Sequence, residues 1–110
     1  KELFIYFFFF FTAGSFADSI GSIDANIVRK ENDTVTLKCS YETSGEFVYL
    51  NWYKQYSNSA LQFLLYNGAK LATRQYNPSG LESEATADST ELTIRGLKLS
   101  DSAFYHCALR

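Results

Sequence analysis

Apolar and polar residues alternate with a two-residue period through several stretches of this chain. Val35, Leu37, Cys39 and Tyr41 are separated by Thr36, Lys38 and Ser40, the pattern of a strand with one buried face and one wet face. Leu50 and Trp52 stand against Asn51 and Tyr53, Leu92 and Ile94 against Thr93 and Arg95, and Ala103, Tyr105 and Cys107 against Phe104 and His106. Phe63 to Tyr66 adds a short run of strand formers. Turn-forming Gly, Asn, Ser and Asp cluster between these runs, at 43–46, 57–59, 67–68, 77–80 and 87–90. No segment carries a convincing 3.6-residue amphipathic period. Short strands with turns at such intervals predict an all-β two-sheet sandwich, with no internal repeat or interdomain linker.

The amino-terminal segment follows a different pattern. Leu3 to Phe11 is nine unbroken apolar residues, followed by Thr12, Ala13, Gly14, Ser15, Phe16 and Ala17. A spanning helix needs about 20 apolar residues, so this run is too short to cross a bilayer. Its length and the small residues after it predict a signal peptide over 1–17, cleaved after Ala17 or at Ala13-Gly14-Ser15, leaving a domain over 18–110. A buried strand is the competing reading, but five consecutive phenylalanines without polar alternation favour the leader. Lys1 in place of Met predicts that the sequence opens inside a longer reading frame.

The 110 residues carry 10 Lys and Arg against 12 Asp and Glu, a formal charge of -2, and the basic residues do not cluster. That balance argues against a nucleic-acid partner or a polybasic membrane patch. In an oxidising compartment, Cys39 and Cys107 are expected to form a disulfide. A zinc site is the alternative, yet Cys39, Cys107 and the lone His106 supply at most three ligands, and His106 and Cys107 project to opposite faces of a strand. No cofactor and no metal is expected. Catalysis finds no support either: there is no nucleophile elbow, His106 is pinned on a sheet face, and Glu82, Glu84 and Asp88 read as a solvated edge.

Cys39, Trp52 thirteen residues later, and Asp101-Ser102-Ala103-Phe104-Tyr105-His106-Cys107 match the framework of immunoglobulin-type domains. Asn51-Trp52-Tyr53-Lys54-Gln55, Leu61 to Tyr66, Leu92-Thr93-Ile94 and Cys107-Ala108-Leu109-Arg110 narrow the likeness. From about Ile20 to Arg110 the chain resembles a variable segment of the T-cell receptor alpha or delta chain. The resemblance implies an immunoglobulin V-type Greek-key sandwich lacking its final strand, with Trp52 packed on the inter-sheet disulfide, Tyr105 at a tyrosine corner and Asp101 in the framework. Without a final strand, the strand ending at Cys107 is expected to present an open edge.

The same resemblance implies a function. The domain would pair with a second variable domain, of a beta or gamma chain, and bind peptide held by a major histocompatibility molecule. Signalling subunits would be reached through regions outside this sequence, at the extracellular face of the plasma membrane, as part of a longer rearranged chain. The first hypervariable loop would comprise Thr43, Ser44, Gly45, Glu46, Phe47, Val48 and Tyr49. The second would run from Asn67 to about Ala72 and include Gly68, Ala69 and Lys70, and the third would begin at Ala108, Leu109 and Arg110. Phe47 either adds contact area at this end or folds back on the framework. Tyr53, Gln55, Leu61, Phe104 and His106 would form the pairing surface, with Gln55 placed to bond a matching glutamine.

Several positions depart from the family pattern. Ser57-Asn58 replaces a Pro-Gly turn, His106 stands where tyrosine is commoner, and Asp101 lacks the arginine usually found near Leu81, leaving Arg74 and Arg95 as candidates. Asn32-Asp33-Thr34 is a sequon on an expected turn, which marks Asn32 for a glycan. A non-rearranging immunoglobulin-type innate receptor or adhesion domain is the alternative function.

Overall fold

A computed structural model describes residues 2–9, 19–22, 26–56 and 58–109, with side chains described over 27–56 and 58–109. Among the described residues ten strands form two sheets: β1 (Glu2–Phe9), β2 (Ser19–Ser22), β3 (Asn26–Lys30), β4 (Val35–Glu42), β5 (Phe47–Gln55), β6 (Gln62–Lys70), β7 (Gln75–Tyr76), β8 (Leu81–Ala85), β9 (Ser89–Ile94) and β10 (Ala103–Leu109). One sheet has the order β3-β1-β10-β5-β6-β7 and the other β2-β4-β9-β8. Alternation on β4 is strict, with Val35, Leu37, Cys39 and Tyr41 buried and their neighbours exposed. Trp52, Leu50 and Leu65 from one sheet meet Leu37 and Leu92 from the other, each at most 1% exposed. Burying such side chains contributes roughly 1.5–3 kcal/mol apiece. The Trp52 indole N–H donates to Thr90 Oγ1 at 3.1 Å, so its polar atom is satisfied inside the core.

Cys39 on β4 and Cys107 on β10 form the disulfide between the sheets, 68 residues apart. Closing a loop of that length restricts the unfolded chain by roughly 4 kcal/mol in the chain-entropy account. The Tyr105 hydroxyl donates to the Asp101 carbonyl at 2.7 Å, which makes the tyrosine corner. Asp101 itself caps a short 3-10 turn, Leu99–Asp101, its Oδ2 accepting from the Lys98 N–H at 2.9 Å. Arg95 is committed elsewhere, 3.0 Å from Glu82. The missing arginine partner of Asp101 is thus replaced by a backbone donor.

The strands depart from the sequence reading in their bounds. The expected turn at 67–68 is strand: β6 runs on to Lys70, because Asn67 is buried on the inner face opposite Leu50 and the Gly68 N–H donates to Arg74 O at 2.8 Å. The chain reverses instead at Lys70, whose φ is 57°. β7 and β8 were not legible as strands, since each is short and only half-buried or exposed. In the uncleaved chain the edge of β10 that the mature domain is expected to leave open is occupied by β1, in parallel register from Ile5↔Ala103 to Phe9↔Cys107. Aromatic and branched residues suit an extended strand, and an unpaired ladder offers them hydrogen bonds. The cleavage points proposed between Ala13 and Ala17 lie outside the described residues. No helix among the described residues is long and apolar enough to cross a membrane.

Candidate functional site

Strand direction brings the β4–β5 connection, the β6–β7 connection and the carboxyl end of β10 to one end of the sandwich. Two of these three are tied together. Lys70 Nζ donates to Thr43 O and to Gly45 O, each at 3.0 Å, and the Leu71 N–H donates to Glu46 O at 2.9 Å. Lys70 therefore acts as a strut between the two expected loops. Gly68 has a scaffold role too: a Cβ there would lie 2.6 Å from the Ala72 carbonyl oxygen, so only glycine lets the chain fold back this closely.

Ser44, Gly45, Glu46 and Phe47 are exposed at this end, Phe47 at 66% and Leu71 beside it at 58%. Phe47 does not fold back on the framework. Val48, Ala69 and Leu109, placed in the loops by the sequence reading, are core side chains, because strand parity turns them inward. Asn67 and Ala108 are also buried, and Tyr49 is half-buried with its ring edge-on to Tyr66 at 5.9 Å. Arg110 lies outside the described residues.

The outer face of the six-stranded sheet is aromatic. On β5 and β10, His106 is opposite Tyr53 and Phe104 opposite Gln55. The Gln55 amide is held from both sides: its Nε2 donates to Ser59 O at 2.9 Å and its Oε1 lies 3.1 Å from His106 Nε2. Burial lowers the His106 pKa below its ordinary value, so the ring is neutral at pH 7. Tyr53 packs edge-on against Phe63 at 5.7 Å, and Phe63 and Tyr66 both stack with Tyr76, at 6.1 and 6.5 Å. Leu61, Phe63 and Tyr76 are 43%, 47% and 51% exposed. Phe63, Tyr66 and Tyr76 extend the surface beyond the expected five residues. The irregularity between Trp52 and Tyr53 shifts the register of β6, so simple alternation could not assign Phe63 to this face. Among the described residues no group of three or more His, Cys, Asp or Glu side chains is placed to hold a metal.

Comparison with known proteins decides what this scaffold is. The family model for the immunoglobulin V-set domain matches residues 24–110. Human T cell receptor alpha variable 3 is 36% identical over 105 residues, covering 92% of this chain and 89% of that protein. Human T cell receptor alpha variable 14/delta variable 4 is 35% identical over 97 residues, 86% of this chain and 82% of its own length. This chain belongs to the T cell receptor alpha/delta variable family. The likeness extends to rabbit, where T-cell receptor alpha chain V region RL-5 is 32% identical over 92 residues, 84% of this chain and 68% of that protein. As a variable domain it is an extracellular receptor module. Its Cys39–Cys107 bridge, buried Trp52 and Tyr105 corner are the framework residues that the sequence resemblance implied.

Proposed function

We propose that this variable domain pairs, through the outer face of its six-stranded sheet, with the variable domain of a beta or gamma chain, and that the joined loop end then binds peptide held by a major histocompatibility molecule. The observation that carries the reading is the contiguous aromatic face around Tyr53, Phe63 and Tyr76 on a sheet whose other side is already core. Half-exposed aromatic rings present on the order of 100 Å² each, so these three supply at most roughly a third of the ~800 Å² a partner contributes to a standard interface, and the rest must come from their neighbours on the face. Exposed rings on such a face usually mark an interface. Gln55, fixed by His106 and Ser59, still has one amide hydrogen and one lone pair free of these two bonds, enough for reciprocal bonding with a partner glutamine.

The same reading places Phe47 and the exposed tips Ser44 to Glu46 on the antigen, with the third loop continuing from Arg110. Residues 1–17 direct the chain into the secretory pathway and are removed there. Signalling subunits are engaged by other parts of the receptor at the plasma membrane. Sequencing many lymphocyte transcripts outward from the codons for Tyr105 to Arg110 tests this. Diverse junctions leading into a joining segment are expected, whereas one invariant continuation in every clone would overturn antigen-receptor use and leave a germline-encoded innate or adhesion domain.

A further inference from the structure

We infer that Asn32 is an N-glycosylation site, placed so that its glycan stands clear of both the loop end and the aromatic face. The inference rests on the secretory reading above. Asn32-Asp33-Thr34 supplies the acceptor amide and the hydroxyl two residues on. Residues 31–34 are all exposed, on the turn between β3 and β4. The turn is fixed by its backbone: the Asn32 N–H donates to Leu97 O at 2.8 Å, the Asp33 N–H to Lys30 O at 3.1 Å, and the Leu97 N–H to Asp33 O at 2.9 Å. Asn32 has φ 74°, a left-handed conformation that asparagine tolerates. Since these bonds use main-chain atoms, the Asn32 amide is left to project from a rigid base.

Asn77-Pro78-Ser79 makes a useful contrast. Proline in the middle position disqualifies it, and the Asn77 amide is already donating to Leu81 O at 2.9 Å. Position decides what the glycan does. β4 carries the chain from Val35 beside the turn to Glu42 at the loop end, eight residues and thus roughly 25 Å of extended strand. Asn32 therefore lies at the opposite pole from Phe47 and Lys70, on a turn that bonds to Leu97 and enters β4, and β4 belongs to the other sheet from Phe63 and Tyr76. In the transfer step, Nδ2 of Asn32 bonds to the anomeric carbon of a lipid-pyrophosphate-linked oligosaccharide. The bond from that carbon to the pyrophosphate oxygen breaks, the amide releases one proton, and the lipid pyrophosphate leaves.

The full chain, given an initiating Met and translated with microsomes, tests this in wild-type, Thr34→Ala and Thr34→Ser forms. Both substitutions fall on an exposed side chain and keep Asn32 in its turn. Expected are protection from added protease and a single-step mobility shift, removed by a peptide N-glycosidase, lost in Thr34→Ala and kept in Thr34→Ser. A protected chain without the shift, or a shift that survives Thr34→Ala, overturns the inference. A chain left outside the vesicles sinks the leader reading instead. Fusion behind an unrelated cleavable leader then decides the site, with a Thr34-dependent shift supporting it and no shift overturning it.

Discussion

Gly68→Ala is the substitution that tests the fold-back beneath the loop end most directly. The added Cβ would meet Ala72 O at 2.6 Å, Ala72 C at 2.8 Å and Ala72 Cβ at 3.0 Å. Two of the three atoms are backbone, so relief requires moving the turn from Lys70 to Thr73 rather than rotating a side chain. Forcing extra volume into a packed position costs about 1–3 kcal/mol. Against this, replacing glycine restricts the unfolded chain and returns about 0.4–1 kcal/mol where the native backbone accepts alanine. The clash wins, leaving a net loss near 1–2 kcal/mol, or a fall of roughly 5–15 °C in Tm for a domain of this size. Gly45→Ala is the matched control. Its Cβ meets only Thr43 Oγ1 at 3.5 Å, an ordinary contact, so its stability should equal or slightly exceed wild type. Thermal unfolding of the oxidised chain, followed by circular dichroism, separates the two. A Gly68→Ala chain as stable as Gly45→Ala would refute the close approach and the argument built on it.

Two further predictions rest on hydrogen bonds. Burial first, and the Asp101 charge second, push the Tyr105 phenol above its ordinary value. As pH rises past about 10 the unfolded chain releases its phenolic proton before the folded chain does, so it holds fewer protons and stability falls. Tyr105→Phe should lose about 1–3 kcal/mol at neutral pH, by orphaning the Asp101 carbonyl, and show a shallower alkaline decline. Urea midpoints between about pH 7 and 11 check this, and an equally steep decline in the variant would count against it; Tyr41, raised for the same reason, supplies the remaining slope. Lys70→Met removes the donors to Thr43 O and Gly45 O. Because the strut is exposed, the expected stability loss is small, about 1 kcal/mol or less. Faster amide exchange confined to 43–47 is the signature, and unchanged exchange there would show that the strut holds nothing.

Much of this architecture is written in two-residue periodicity. β4 and β9 could be read from alternation because each has one face in the core and a more exposed one, β10 keeps the alternation in its sequence although His106 and Ala108 on its outer face are buried too, and the disulfide, Trp52 and Tyr105 anchor three of the strands independently. Legibility fails where that simple geometry fails. Asn67-Gly68 looks like a turn because both residues favour turns, yet long-range packing opposite Leu50 and the close approach of Ala72 hold it as strand. Phe63 and Tyr76 could not be assigned to the outer face, since a register irregularity precedes one and the other sits on a two-residue strand. Glu2–Phe9 carries no alternation at all and reads as a leader by composition, which gives no sign that in the uncleaved chain it lies along the ladder of β10. The loop tips could be placed by their distance from Cys39 and Trp52. Which of their side chains face outward depended on parity at the strand ends, and that parity removed Val48 and Leu109 from the surface.

The Lys70 strut has a bearing on how this receptor end can diversify. Its two acceptors are main-chain carbonyls, which every amino acid provides, so replacing the side chains of Thr43 or Ser44 leaves the tie intact. Insertion or deletion between Thr43 and Phe47 would instead displace the carbonyls themselves and pull the second loop along with the first. Identity at the tips is therefore free to drift, while length is shared property of both loops: a change in one is felt as a change in the other.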